Sequence, residues 1–128
     1  KDENGEWTKP ENLGSTINSP FDEATPFITE NRKKLYFSSK GHKNMGGYDV
    51  FYSVRKNNRW KKPVNMGFPI NTTDNDQFFF PLKNGNIAYY SRIKPNGYGK
   101  MDIYKLELYK RENIPEKEKK LNISNKAN

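Results

Sequence analysis

The amino-acid sequence predicts an all-β fold made of a repeated unit, and three observations support this prediction. A motif of the form Trp-x-x-Pro-x-Asn-x-Gly-x-x-Ile-Asn occurs at residues 7–18 and again, 53 positions later, at residues 60–71. Apolar residues alternate with polar ones or form short runs bounded by Gly, Asn and Pro, as in β-strands. No stretch before residue 109 shows the ~3.6-residue apolar period of a helix. Because four-stranded propeller blades repeat every ~40–50 residues, we expect two consecutive antiparallel four-stranded β-propeller blades, which form a partial propeller.

The strands follow from the alternation within each repeat. Residues 6–13 carry the same motif as the end of the first full repeat, so we predict a strand there that completes a preceding unit. The remaining predicted strands are 24–29, 34–39, 48–55 and 59–65 in the first repeat and 77–82, 86–92 and 102–108 in the second.

The connections between these strands carry residues that tight turns require. Asn84-Gly85 is the strongest two-residue hairpin signal, and Asn57-Asn58 tolerates positive φ. Asn4-Gly5 lies 53 positions before Asn57-Asn58, so we expect the same turn one unit earlier. Since propellers need about 4 to 8 blades, two repeats do not close a ring. We therefore expect either a piece of a larger protein or several copies that assemble.

The patterned part of the chain is expected to end near residue 108. The predicted partial propeller spans residues 1–108, with repeats at about 7–59 and 60–108. After Tyr109 the sequence has no aromatic residue and is rich in charge. Residues 109–128 are therefore predicted to form a charged linker or tail.

Composition narrows the classes of function. The absence of cysteine excludes disulfides, thiolate catalysis and cysteine-based metal sites. No apolar run approaches the roughly 20 residues of a membrane-spanning helix, so no membrane span is expected. The net charge is +8, and residues 30–62 hold ten Lys or Arg against two acids. Such a patch could meet an anionic partner, but the second repeat does not reproduce it. We interpret it as keeping sheet edges soluble and unpaired, and we expect no nucleic-acid partner.

The repeats resemble the PD40, or WD40-like, β-propeller repeat over residues 6–108. The version with Met-Gly-Gly-Tyr-Asp at 45–49 is most similar to the propeller module of envelope proteins in Bacteroidota. In those proteins the propeller is typically joined to helical repeats, a carboxypeptidase-regulatory-like β-domain and an OmpA-like peptidoglycan-binding domain. Some members are periplasmic parts of the type IX secretion and gliding machinery. The matching segments are Trp-x-x-Pro-x-Asn-Leu-Gly at 7–14, Ile-Asn-Ser at 17–19, Asp-Glu at 22–23, Pro-Phe at 26–27, Leu-Tyr-Phe-Ser-Ser at 35–39 and Gly-Gly-Tyr-Asp-Val-Phe at 46–51.

The residues that both repeats share have structural explanations. Trp7 and Trp60 occupy identical positions, which favours packing between units over ligand stacking. Asp49 and Asp102 each begin a predicted strand after a Gly-rich loop, where a carboxylate can accept backbone N–H groups and fix that loop. The cluster of oxygen ligands that calcium requires is absent from their surroundings in the sequence.

The candidate partner-binding residues lie in two loops at equivalent positions of the repeats. His42 is the only histidine, which excludes a multi-histidine metal site, and we expect it to lie in an exposed loop. No catalytic residue, metal or cofactor is predicted. Functional contacts collect on loops above rigid scaffolds. The candidates are therefore His42, Lys43, Asn44 and Met45 in one loop and Lys94, Asn96 and Tyr98 in the other.

With the resemblance, the sequence predicts a non-enzymatic scaffold or protein-interaction module. The resemblance implies part of a periplasmic propeller in an outer-membrane-associated protein, linked to secretion machinery or peptidoglycan anchoring. The expected partners are other envelope proteins and further blades, from the same chain or other copies, with peptidoglycan contacted only indirectly. Two alternatives stay open: a fragment of a glycan-acting propeller enzyme whose active site lies in other blades, and a two-blade binding protein that assembles with itself.

Overall fold

The computed structural model describes residues 3–83 and 85–108, and this part of the chain is all-β, as predicted. It contains eight strands and no helix, arranged in two antiparallel sheets. The strands are β1 (Glu23–Ile28), β2 (Lys34–Ser39), β3 (Asp49–Lys56), β4 (Arg59–Trp60), β5 (Val64–Asn65), β6 (Asp76–Pro81), β7 (Ile87–Arg92) and β8 (Asp102–Glu107).

The first sheet joins β1, β2 and β3 by hairpins and completes its edge with two short strands. Both β4 and β5 pair with β3, and residues 61–63 between them leave the ladder. Pro63 lies in this gap and has no N–H to donate, which is consistent with the break. The predicted continuous strand at 59–65 is therefore two strands of two residues each.

The second sheet, β6-β7-β8, repeats the first sheet residue by residue. Both β6 and β7 begin and end 53 residues after β1 and β2, and β8 begins 53 residues after β3. Each sheet has the same irregularity in its first strand, where Thr25 and Phe78 adopt φ values of 51° and 56°. The N–H of Phe78 donates to Oγ1 of Thr25 at 3.4 Å, so the two irregularities touch each other.

The hydrophobic core lies mainly between the two sheets. Tyr36 and Val50 of the first sheet meet Phe79, Ala88 and Tyr90 of the second, and all five are buried. A smaller cluster on the opposite face of the first sheet is formed by Ile17, Leu35, Phe37 and Phe51, with Trp60 packed against it. Tyr36 belongs to one cluster and its neighbours Leu35 and Phe37 to the other, because successive side chains of a strand point to opposite faces.

The prediction of a strand at residues 6–13 is wrong, since residues 6–14 form no strand. A strand needs a neighbour to accept and donate its backbone hydrogen bonds. Residues 59–65 have β3 as that neighbour, whereas no described strand pairs with residues 6–13. Trp60 packs on the core, but its equivalent Trp7 is 82% exposed.

The other predicted strands lie within one residue of the observed ones at each end. The turns also follow the sequence: Asn57 and Asn58 both have positive φ, and Gly5 has a φ of 84° in the turn at residues 3–5. The predictions for Asn84 and for the tail at 109–128 lie outside the described residues.

Candidate interaction surface

A hydrogen-bonded motif at residues 65–71 fastens the end of the first repeat to β3. Oδ1 of Asn65 accepts the N–H of Gly67 at 2.7 Å and the side-chain amide of Asn71 at 2.7 Å. Asn71 is fully buried and brackets Val50, accepting its N–H at 2.7 Å and donating to its carbonyl at 2.8 Å. Nδ2 of Asn65 also donates to Oδ2 of Asp49 at 2.9 Å. We call residues 65–71 the strand-end motif.

The same internal hydrogen bonds are formed 53 residues earlier, where the two asparagine side chains bind no described strand. Oδ1 of Asn12 accepts the N–H of Gly14 at 2.8 Å and the amide of Asn18 at 3.0 Å. Both Gly14 and its equivalent Gly67 have positive φ, which a residue without Cβ adopts most readily. Residues 12–18 therefore have the geometry of the strand-end motif, but their asparagine side chains bind no strand among the described residues.

Two equivalent aspartates fix the loops that connect the second and third strands of each sheet. Oδ2 of Asp49 accepts the N–H of Met45 at 2.6 Å, and Oδ2 of Asp102 accepts that of Tyr98 at 2.7 Å. Oδ1 of Asp102 accepts a further N–H from Gly99 at 3.1 Å. A carboxylate that accepts backbone N–H groups restrains the loop that donates them.

The two loops present a large side chain at the same position. Met45 is 50% exposed and its equivalent Tyr98 is fully exposed. The neighbouring candidates Lys43, Asn44, Lys94 and Asn96 are exposed as well. The amide of Asn44 donates to the carbonyls of Lys40 at 2.9 Å and Gly46 at 3.1 Å, which restrains the first loop further. Neither hydrogen bonds nor ring contacts join the two loops within the described residues.

His42 lies in the predicted loop, but its side chain turns inward. Its ring is half-buried and packs against Phe37 and Phe51, with ring centroids 5.9 and 5.3 Å away. Nε2 lies 3.0 Å from the carbonyl oxygen of Ile17. The histidine therefore closes one end of the smaller core cluster. No local signal in the sequence indicates this, because the contact with Ile17 joins segments 25 residues apart.

The acidic residues at the start of β1 and β6 hold turns. Glu23 accepts hydrogen bonds from Ser19 and Ser39 at 2.6 and 2.8 Å. Its equivalent Asp76 is fully buried and accepts the N–H and the hydroxyl of Thr72 at 2.6 and 2.9 Å. Burial raises the pKa of the Asp76 carboxyl, against the lowering effect of these hydrogen bonds. Each acid thus binds the residue four positions earlier, which is a structural arrangement.

An ion pair next to the start of β1 is solvent-exposed. The ammonium of Lys40 donates to Asp22 at 3.0 Å, and this hydrogen bond lowers the pKa of the Asp22 carboxyl. Because both side chains are largely exposed, the pair contributes little to stability.

Three basic residues of the first repeat lie together at one end of its sheet. Arg32, Lys33 and Arg55 line a cleft of about 330 Å³ between two hairpin turns. The N–H of Arg55 donates to the carbonyl of Lys33 at 2.7 Å, which holds the turns together. The guanidinium of Arg55 lies 5.7 Å from the centre of the Trp60 ring. The sequence located the charge excess but not the cleft, which depends on how the turns meet.

A larger cleft of about 610 Å³ lies between the first hairpins of the two sheets. Its apolar wall includes Phe27 and its equivalent Phe80, whose ring centroids are 4.3 Å apart. Lys83 and Glu30 form an ion pair of 3.2 Å beside it. This cleft was not predicted from the sequence, although the equivalence of the two phenylalanines was a signal for it.

Comparison of the chain with protein families, curated proteins and solved structures finds no match. Among residues 3–83 and 85–108, no helix is long and apolar enough to cross a bilayer. Within the same residues, no group of three or more His, Cys, Asp or Glu side chains could hold a metal ion.

Proposed function

We propose that this chain is a non-enzymatic scaffold and protein-interaction module built from two units of a PD40-type β-propeller. One observation carries the proposal: the side chains that the two repeats share are engaged in holding the sheets and loops. Asp49 and Asp102 bind loop N–H groups, Asn71 binds the backbone of Val50 in β3, and aromatic residues fill the core between the sheets. What remains for function is the set of exposed residues in which the repeats differ.

The cellular setting rests on the resemblance alone. Similarity to the propeller of Bacteroidota envelope proteins supports a periplasmic location at the outer membrane. It also supports a role in secretion machinery or peptidoglycan anchoring, with other envelope proteins as direct partners. In this proposal the module brings partners together and peptidoglycan is contacted by other parts of the assembly.

The loops that carry Met45 and Tyr98 are the proposed partner-binding surface. Each places one large, exposed side chain on a loop that an aspartate restrains. Aromatic residues and methionine are enriched in protein interfaces, and a restrained loop loses little conformational entropy on binding. Loops above a rigid scaffold commonly supply such contacts.

A pull-down with matched variants tests this function. The immobilised chain is incubated with detergent-solubilised envelope of a Bacteroidota species, and bound proteins are quantified by mass spectrometry. We expect the double variant Met45→Ser, Tyr98→Ser to recover specific partners at least about 10-fold less well, because truncating an interface anchor commonly costs more than ~1 kcal/mol.

Phe68→Ser is the matched control, because Phe68 is an exposed aromatic outside both loops. We expect this variant to recover the same proteins as the unmodified chain. Equal recovery by the double variant and the unmodified chain would contradict the assignment of these loops, and recovery of no specific partner would contradict the interaction role.

A further inference from the structure

We propose that residues 6–18 of one copy of this chain bind the edge of β8 in a second copy, where they form the fourth strand of the second sheet. This inference rests on the proposed function, because it treats the two sheets as equivalent units of one scaffold. It assigns a specific occupant, with a register, to an edge that the described chain leaves open.

The edge of β8 repeats the edge of β3. In the first sheet Val50 pairs with Ser38, and in the second Ile103 pairs with Ser91 in the same register. The N–H and carbonyl of Val50 point away from β2, because both bind Asn71. The backbone groups of Ile103 therefore point away from β7. Ile103 is 78% exposed, and within the described residues β8 pairs only with β7.

Residues 12–18 already have the conformation that binds such an edge. Asn12, Gly14 and Asn18 make the same internal hydrogen bonds as Asn65, Gly67 and Asn71. Asn71 uses its amide oxygen to accept the N–H of Val50. Within the described residues the amide oxygen of Asn18 accepts no hydrogen bond. A preformed motif costs little ordering entropy when it binds.

The register predicts which side chains would meet across the new pair of strands. β3 pairs Phe51 with Asn65, Tyr52 with Val64 and Arg55 with Trp60. Moving the β3 residue of each pair forward by one repeat, and its partner back by one repeat, places residues of the first segment opposite residues on or next to β8. The resulting pairs are Tyr104 with Asn12, Lys105 with Glu11 and Leu108 with Trp7.

Two of these pairs are chemically complementary. Lys105, which forms an ion pair with Glu107 at 2.5 Å in its own strand, would lie opposite Glu11 where the first sheet has Tyr52 and Val64. Directly opposed charges of unlike sign stabilise a strand pair. Leu108 is 69% exposed and Trp7 is 82% exposed, so their contact would remove two apolar side chains from water.

Charge and the exposed face of the second sheet agree with this pairing. Residues 1–29 contain six acids and two lysines, whereas the loop before β8 presents the exposed Lys94 and Lys100. Opposite charge on two surfaces favours their encounter. The outer face of the second sheet carries Tyr89 and Ile103, which repeat the buried Tyr36 and Val50 of the first. A bound copy would continue the interface that already covers the first sheet.

Sedimentation equilibrium of the full chain, at low ionic strength and over a wide concentration range, tests the proposal. We expect self-association that Glu11→Lys and Lys105→Glu each weaken at least about threefold, and that the double variant restores to within about twofold. Asn18→Ala should weaken association more than about 10-fold, because Ile103 would lose two hydrogen bonds. Lys62→Glu reverses an exposed charge outside both segments and should leave the association unchanged.

Several results would overturn the proposal: a monomer at every concentration, single and double charge variants that all weaken association equally, or an Asn18→Ala variant that associates like the unmodified chain. Circular dichroism checks that each variant is folded, and Glu11→Gln replaces Glu11→Lys if the latter is not. Failure here is distinguishable from failure of the proposed function. A monomeric chain that still recovers partners through Met45 and Tyr98 retains that function.

Discussion

At the scale of single residues, two asparagines at equivalent positions of the repeat have different roles. Asn71 is fully buried and binds both backbone groups of Val50 as well as Asn65. Asn18 occupies the equivalent position, and within the described residues its side chain binds only that of Asn12. The contribution of a polar side chain depends on the desolvated groups that it satisfies, so the two residues should differ in their importance for folding.

We predict that Asn71→Ala destabilises the fold by about 2–4 kcal/mol, because it leaves the buried N–H and carbonyl of Val50 without the side chain that binds them. Asn18→Ala should cost less than about 1 kcal/mol in the monomer. Urea unfolding at low protein concentration, followed by circular dichroism, measures both values. Similar losses for the two variants would show that the motif stabilises the fold only through its internal bonds.

Residue roles were predictable from the sequence where a local rule applies. Asp49 and Asp102 follow Gly-rich loops, and short-range hydrogen bonding to those loops is their expected behaviour. The position of His42 was not predictable, since its burial depends on Phe37, Phe51 and the distant Ile17. A polar sequence around a residue indicates a loop but does not tell which side chain turns inward.

At the scale of elements, alternation and turn chemistry located most strands within one residue. The two errors concern the fourth strand of each unit. Residues 59–65 are interrupted at 61–63, and residues 6–13 form no strand although they carry the same motif. The sequence pattern of a strand reports which face is apolar, but it does not supply the neighbour that completes the hydrogen bonds.

We predict that Gly46→Ala destabilises the protein by about 1–3 kcal/mol, because overpacking at a close backbone contact forces the chain apart. A Cβ at Gly46 would lie 2.5 Å from the carbonyl carbon of Thr73. Gly99 is equivalent, yet its Cβ would have no neighbour closer than 3.6 Å, so Gly99→Ala should be nearly neutral. Thermal unfolding of both variants tests this pair. A neutral Gly46→Ala would mean that the segment at 73–75 shifts freely.

At the scale of the whole molecule, the two sheets share one core. Tyr36 and Val50 come from the first sheet, and Phe79, Ala88 and Tyr90 come from the second. Tyr36 of the first sheet is buried against Phe79 and Tyr90 of the second. A contact surface of this kind makes the two sheets one cooperative unit.

We predict that Phe79→Ala destabilises the whole described fold by about 3–5 kcal/mol, because it leaves a cavity between the sheets. Both sheets should unfold in one transition, with Trp60 fluorescence and circular dichroism giving the same midpoint; Trp7→Phe removes the second tryptophan signal. Phe68→Ala, at an exposed position, should change stability by less than about 0.5 kcal/mol. Two separate transitions would contradict the shared core.

The repeat made the all-β class and the equivalence of the strands predictable before any contact was known. The function was harder to predict from the sequence, because most of the repeated residues are structural. Residues that recur 53 positions apart, such as Asp49 and Asp102 or Asn12 and Asn65, stabilise the scaffold in each repeat. The clefts lined by Arg55 and by Phe80 depend on how separate turns meet in space. The spacing of residues in the sequence does not specify how close those turns lie to one another.

The contact between Thr25 and Phe78 has a consequence for how such a chain can change over generations. It joins two equivalent positions, so the spacing of 53 residues is also a physical step from one sheet to the next. Copying an entire repeat in frame adds one more step and requires no new kind of interface. Loss or gain of a few residues within a strand would shift the later residues of that repeat away from their equivalents in the adjacent sheet. Growth by whole repeats is therefore the route that this architecture favours.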